Sequence, residues 1–350
     1  MNRDQNPTLL QVKNLTVCFR AHGGTILAVN DLSFDLNKNQ ILGIVGESGS
    51  GKSVTMQNIL GILPKNGIVD PNSQIKFNSS RYGEIDLLKL KPKEKKWFKL
   101  RGSEIGIIFQ EPSAVLSPIY KIFAYFKEVI DLHLPGKSKT EIEQMAADML
   151  AKVGIPNPSQ CLAQYPFELS GGMKQRVLIA LTLVTRPKLI IADEPTTALD
   201  VTVQAQILRL LKKLQQEFEL SIIFISHNLG VIRQIADQVL VMYLGEAMEL
   251  GLTEDVINRP LHPYTSLLVK AIPHFKSKGN PLVTMPGSIP NPLERPTGCP
   301  FHPRCPFVLN DVCSKQHPAF INYENGRKSR CFYLEKHKSR GVPVETHFRN

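Results

Sequence analysis

The sequence predicts an α/β fold built on a parallel sheet, with a β-rich N-terminal part and an irregular C-terminal appendage. Three observations carry this. Between residues 104 and 226, short apolar runs ("EIGIIFQ", "KLIIADEP", "SIIFISH") alternate with helix-like stretches ("TEIEQMAADMLAKVG", "MKQRVLIALTLV", "VTVQAQILRLLKKLQQEF"). Strands alternating with helices are the pattern of parallel crossovers. Residues 9–45 read instead as strand after strand. Beyond about residue 255 prolines and histidines accumulate and periodicity fades, apart from a short helix near 264–272.

The elements follow in order. "LLQVKNLTVCFR" and "ILAVNDLSFDL" alternate apolar and polar residues around the turn "AHGG", as an antiparallel, half-buried pair does. "QILGIVG" (40–46) is nearly continuous in apolar residues, as befits a strand buried on both faces. A glycine-rich loop and the helical stretch "KSVTMQNILGIL" come next. The basic run 91–101, "KPKEKKWFKLR", holds six basic groups against one acidic, and 326–350 holds seven against two. Such runs can bind nucleic acid or anionic lipid, but a solvated helix face and a charged tail are the readings adopted. Trp97, Phe98 and Leu100 are expected on the buried side of the first run. The boundary is placed at 255, giving a nucleotide-binding unit of 1–255, with helices concentrated at about 110–185, and an appendage of 256–350.

The chain of 350 residues carries a net charge of +11 and is 42% hydrophobic, enough for a large core. No apolar run approaches the length a membrane span needs, and "VLIALTLV" is far too short. "MNRDQNPTLL" lacks a charged start followed by an apolar block, so a cytosolic location with reduced thiols is expected.

Residues 46–53, "GESGSGKS", satisfy G-x-x-x-x-G-K-[ST] between a strand and a helix. Gly46, Gly49 and Gly51 let the backbone approach phosphates, and the N–H groups through Glu47, Ser48 and Ser50 form an anion nest with the helix N-terminus. Lys52 would reach the β- and γ-phosphates and Ser53 would ligate Mg²⁺. The strand "LIIADEP" brings Asp193 to the carboxyl edge of the sheet as a second Mg²⁺ ligand, and Glu194 as general base toward water. "LSGGMKQR" (169–176) opens a helix with Ser170, Gly171 and Gly172. This is a second anion-binding end, surplus to one nucleotide unless it serves a nucleotide on another subunit.

With "LSGG" in place, the chain resembles the ATP-binding-cassette ATPases over roughly residues 9–255. The resemblance implies a P-loop NTPase fold of RecA-like type with a helical signature subdomain. It implies that Gln110 in "IIFQEP" senses Mg²⁺ and couples to membrane subunits, and that Asp200 in "ALD" (198–200) lies at a dimer seam. It also implies that His227 contacts the γ-phosphate, that Phe19 stacks on adenine, and that Gln175 joins Ser170, Gly171 and Gly172 in capping a partner's ATP. Asn228 departs from the aspartate many members carry there. "YPFELSGGMKQRVLIALTL", "LIIADEPTTALDVTVQAQIL", "HPYTSLLVKAIP" and "GSIPNPLERPTGCPFHPRC" resemble more narrowly the first of the two non-identical ATPases of bacterial oligopeptide and dipeptide importers. That implies a second ATPase, two permeases and an extracytoplasmic binding protein as partners, at the inner face of the cell membrane. Nickel and antimicrobial-peptide importers share this C-terminal style. The rival class, a soluble cassette ATPase acting on nucleic acid or ribosomes, is disfavoured because Lys52 and Ser170 are 118 positions apart without sustained heptads. No nucleic-acid partner is expected.

Four of the six cysteines, Cys299, Cys305, Cys313 and Cys331, fall in the appendage with five, seven and seventeen residues between successive members. No C-x₂₋₄-C pair appears, and a reducing compartment disfavours disulfides. In a small proline-rich unit a metal would add stability that burial does not. On residues alone Zn²⁺, with His302 and His317 available, an iron–sulfur cluster and no metal at all remain open. The resemblance implies a [4Fe–4S] cluster on the four cysteines. Cys18 and Cys161 are read as structural.

Overall fold

The structure is a computed structural model describing residues 7–197, 199–272 and 285–337. Ala198 of the "ALD" motif, part of the appendage and residues 338–350 of the basic tail lie outside the described residues. The chain divides into two compact units. One contains residues 76–225 with the stretches ending at Leu10 and spanning Leu36–Gln40; the other contains 11–35, 41–75 and 226 onward.

In the first unit the predicted parallel strands are present as Ile105–Ile108, Leu189–Asp193 and Ser221–Ser226. They pair in parallel, with Ile108 opposite Ala192 and Asp193 opposite Ile225. Their residues Ile190, Ile191, Ala192, Ile222 and Phe224 are fully buried, which is why these runs are apolar without alternation. The helices Gly171–Leu183 and Val201–Glu217 supply Val177, Ile179, Leu183, Ile207 and Leu211 to the buried set. Helices Ile122–His133 and Lys139–Lys152 pack with the first of these, and Pro158–Ala163 packs against that pair. Lys139–Lys152 begins in a capping box: Ser138 accepts from the Glu141 N–H and Glu141 reaches back to the Ser138 N–H.

On the short helix Lys95–Leu100 the expected apolar side is two residues wide, not three. Trp97 and Leu100, three apart, are buried, whereas Phe98 is 63% exposed. One residue along a helix turns the side chain by about 100°, so Phe98 faces away from the stripe its neighbours share.

In the second unit, Ile41–Val45 runs parallel to Gln238–Tyr243, which folds back antiparallel on Glu246–Leu252. The appendage extends this sheet: Lys328–Ser329 pairs with Glu249 and Leu250, and Ile321–Asn322 pairs with Lys328–Ser329. The strand Thr8–Ala21 pairs antiparallel with Gly67–Val69. The helix after the glycine-rich loop is shorter than expected, Lys52–Ile59, because Gly61 takes a left-handed φ of 62° and Pro64 follows.

The reading of 326–350 as a solvated charged tail is corrected where it can be seen. Arg327 and Arg330 are buried and paired with carboxylates: Arg327 lies 2.7 Å from Glu249, and Arg330 lies 3.5 Å from Glu246. Both acids are fully buried on the strand Glu246–Leu252, and each needs a cation beside it to remain there ionised.

Candidate active site

The phosphate loop is assembled within the second unit. Glycine is required at particular places. Gly49 and Gly51 have φ of 77° and 93°, and a methyl on Gly46 would fall 2.2 Å from the Met242 carbonyl oxygen. Gly51 caps the helix Lys52–Ile59 in the left-handed conformation. Lys52 is buried, with its ammonium donating to the Gly46 carbonyl at 2.8 Å, the Glu47 carbonyl at 3.0 Å and the Ser50 hydroxyl at 3.2 Å. The cation is therefore held at the mouth of the loop, where an entering phosphate would exchange for carbonyl oxygens. Ser53 is exposed on the first helical turn, suited to a Mg²⁺ that accompanies the nucleotide.

Two other expected residues belong to this unit. Phe19 is half-buried in the strand Thr8–Ala21, opposite Gly67, where a side chain would collide with Leu63 and crowd the Phe19 ring. His227 is exposed directly after the strand ending at Ser226. Asn228 caps the helix Leu229–Ile235 through the Gly230 N–H, at 2.8 Å, and its own N–H donates to Ser226 Oγ. Asparagine caps a helix about as well as aspartate, so the departure from the family pattern keeps the backbone turn that presents His227.

The acidic residues and the signature lie in the first unit. Asp193 ends the buried strand Leu189–Asp193. Glu194 adopts a left-handed φ of 46°, uncommon for a non-glycine residue and a form of strain found at functional sites. Its N–H donates to the Ile225 carbonyl at 3.0 Å, and its carboxylate accepts from the Thr197 hydroxyl at 2.9 Å. Gln110 is exposed just beyond the strand Ile105–Ile108.

Ser170 is the N-cap of the helix Gly171–Leu183, accepting from the Met173 N–H, and Ser170 and Gly171 are exposed. Asp200 caps the helix Val201–Glu217 through the Val203 N–H at 2.9 Å. The two helix starts adjoin: a methyl on Gly172 would lie 2.9 Å from Val203, and one on Gly171 3.8 Å from Leu199. The structure thus brings residues 170–172 and the start of the helix Val201–Glu217 together. Gln175, by contrast, is 1% exposed, whereas Ser170 and Gly171 are exposed.

The four cysteines gather in the second unit. Cys299, Cys313 and Cys331 are buried and Cys305 is half-buried. The Cys299 N–H donates to the Cys313 carbonyl at 2.8 Å, and the Leu309 N–H points at Cys313 Sγ at 3.4 Å. Burial pushes the Cys299 thiol up to about 12 and that of Cys331 to about 11. It raises Cys305 too, which also feels the charges of Cys331, Cys299 and Cys313. Among the described residues no three His, Cys, Asp or Glu side chains are grouped as a single metal ion needs. Single-ion zinc, with His302 or His317, is therefore not supported. His302 Nδ1 instead faces the Cys299 carbonyl at 2.9 Å, and His317 Nε2 bonds Glu246 at 2.8 Å.

One set of contacts escaped the sequence reading. Tyr243, Tyr264 and Phe301 form an aromatic cluster beside Glu47, which it joins through Tyr264, and Arg304 reaches the Glu47 carboxylate. No local motif marks Arg304, whose partner is 257 residues away.

Known proteins resemble this chain in sequence and in fold. Residues 29–197 match the ABC transporter family, and residues 248–313 match the oligopeptide/dipeptide transporter C-terminal region. The chain is 45% identical over 324 residues to the oligopeptide transport ATP-binding protein OppD of Salmonella typhimurium, covering 93% of each. It is 41% identical to the dipeptide transport ATP-binding protein DppD of Escherichia coli, covering 93% of this chain and 96% of that one. The ATP-binding cassette MJ0796, solved as a post-hydrolysis dimer bound to ADP and Pi, superposes with a TM-score of 0.59 at 27% identity, covering 70% of this chain and 99% of that one.

Proposed function

Because the chain belongs to the ABC transporter family, in the branch of oligopeptide and dipeptide transport ATP-binding proteins, we propose that it hydrolyses ATP to power peptide import. The observation that carries the reading is a complete phosphate loop whose buried lysine is held by the carbonyls of Gly46 and Glu47. In this reading residues 46–53 hold the phosphates, Ser53, Asp193 and Gln110 hold Mg²⁺, and Phe19 lies against adenine. Glu194 takes a proton from water as the water oxygen bonds to the γ-phosphorus, and the bond to the ADP oxygen breaks, leaving ADP and phosphate. His227 steadies the γ-phosphate. Ser170, Gly171 and Gly172 present an exposed helix N-terminus to a nucleotide on a second ATPase subunit, with Asp200 beside them.

Two integral membrane permeases, fed by an extracytoplasmic binding protein, complete the assembly in this reading, with the chain peripheral at the inner membrane face. No helix among the described residues is long and apolar enough to cross a membrane. Support for permease docking comes from Ile119, at 69% exposed, and Tyr120, at 55%, a few residues beyond Gln110. Four cysteines in the appendage, three of them buried, are the donor set that a [4Fe–4S] cluster takes, its thiolates binding separate irons. Bound there, a cluster would cross-link the segments around Cys299, Cys305, Cys313 and Cys331 within the appendage of 256–350.

Glu194→Gln should retain ATP binding and lose turnover and peptide uptake by two or more orders of magnitude, read by nucleotide binding and phosphate release. Hydrolysis at the wild-type rate would remove Glu194 from the role of base. Iron and sulfide analysis of anaerobically purified protein tests the cluster; a colourless, iron-free protein with intact fold would end that reading.

A further inference from the structure

Glu47, the second residue of the phosphate loop, is held from the C-terminal segment at both its backbone and its side chain. Its N–H donates to the Tyr264 hydroxyl at 3.0 Å. Its carboxylate takes two bonds from the Arg304 guanidinium, at 2.7 Å and 3.1 Å. Arg304 is itself fixed: its Nε donates to the Pro286 carbonyl at 2.8 Å, and its Nη1 also reaches the Tyr243 hydroxyl at 3.2 Å. The arginine side chain is 4% exposed, and it sits on the short turn His302–Arg304 between Cys299 and Cys305. A two-pronged Arg–carboxylate pair fixes direction as well as distance. A lone surface pair would do little, but here one partner is buried and bonded to two further groups.

We propose that Arg304 is a positioning residue for ATP binding: through Glu47 it fixes the phosphate loop in its receiving shape. The inference rests on residues 46–53 being the phosphate loop. The nest works because its N–H groups converge before the phosphate arrives. Glu47 stands at the loop's entry, between Gly46, which packs on Met242, and the Ser48–Gly49 tip, which is exposed. Anchoring it restrains the part of the loop that the sheet and the helix Lys52–Ile59 do not restrain. The cysteine-bearing segment thereby gains a task beyond bracing itself.

The test is a double-mutant cycle on the full chain assembled with its partner subunits, using Arg304→Met, Glu47→Gln and the pair. KM for ATP, kcat and the melting temperature are read for each. The expected result is a KM raised about fivefold or more in either single variant, kcat within threefold of wild type, and a pair no worse than the worse single. Arg304→Lys should recover only part of the loss, since it keeps the charge and lacks the fork. It also completes the cycle if Arg304→Met fails to fold. KM within twofold of wild type in both single variants would overturn the proposal, as would losses that multiply in the pair. A pair restored to wild-type KM would also overturn it, showing that the arginine only cancels a charge. Lys52→Met is run alongside. If it binds ATP normally the loop assignment itself fails; if it alone loses ATP, only the role of Arg304 falls.

Discussion

A methyl group on Gly46 would meet the Met242 carbonyl oxygen at 2.2 Å, backbone against backbone, whereas one on Gly49 would meet nothing within 4 Å. Gly49 is glycine for its φ of 77° alone. The two substitutions should therefore part company. Gly46→Ala should destabilise the protein by about 3 kcal/mol, because neither main chain can yield, while Gly49→Ala should cost about 1 kcal/mol of left-handed strain. Urea midpoints check this; equal losses would mean that the loop yields at Gly46. Asn228→Asp should leave turnover within twofold, because the cap to the Gly230 N–H survives. At this scale the sequence was most legible where a motif dictates chemistry, as in residues 46–53. It was silent where a contact spans the chain, as between Arg304 and Glu47. Phe98 was misplaced because an aromatic residue inside a basic run signals burial only if its helical phase agrees.

Elements were legible in type, and their ends were set by residues with a physical excuse to stop, such as Gly61. The signature helix illustrates what a cap adds. Ser170 holds the Met173 N–H, so Ser170→Ala should cost about 1 kcal/mol of stability. The exposed Ser170 hydroxyl would be lost as well. The helix Pro263–Lys270 is capped by His262, whose Nδ1 accepts from the Tyr264 N–H at 3.0 Å. Burial, against a hydrogen bond to the Arg330 main chain, pushes His262 from 6.5 down to about 3. The unfolded chain takes up this proton below about pH 6.5 and the folded chain does not until about pH 3. The contribution of neutral His262 is thus whole above pH 6.5 and is lost progressively as pH falls through that window. His262→Asn keeps a capping acceptor and cannot titrate. Between pH 6.5 and 4.5 its stability should fall less steeply than that of the wild type, by up to about 1.4 kcal/mol per pH unit. Unfolding midpoints at several pH values measure it, and the neighbouring Glu249 is present in both proteins. Identical slopes would mean that His262 is protonated in the fold.

Across the whole molecule, the sequence separated a nucleotide-binding part from an appendage by texture, whereas the compact units follow packing. The strand Glu246–Leu252 carries the edge on which Lys328–Ser329 adds, and it also carries two fully buried carboxylates. Composition does not show such residues as buried, because a charge is admitted to a core only by a partner that the fold supplies. Glu246 meets Arg295, His317 and Arg330, while Glu249 meets Arg327 and the N–H groups of Leu261 and His262. Removing one member of a buried pair leaves the other charged and unsolvated, so Arg327→Met should destabilise the protein by about 3 to 5 kcal/mol. Removing both members is a different change. Glu249→Gln with Arg327→Met strands no charge, and the Leu261 and His262 N–H groups keep an amide oxygen to donate to. The double variant should recover most of that loss, leaving it within about 2 kcal/mol of wild type. Urea unfolding of the full chain measures both. If the double variant is as unstable as the single one, the Arg327 side chain holds the appendage strand by packing rather than by answering the charge of Glu249.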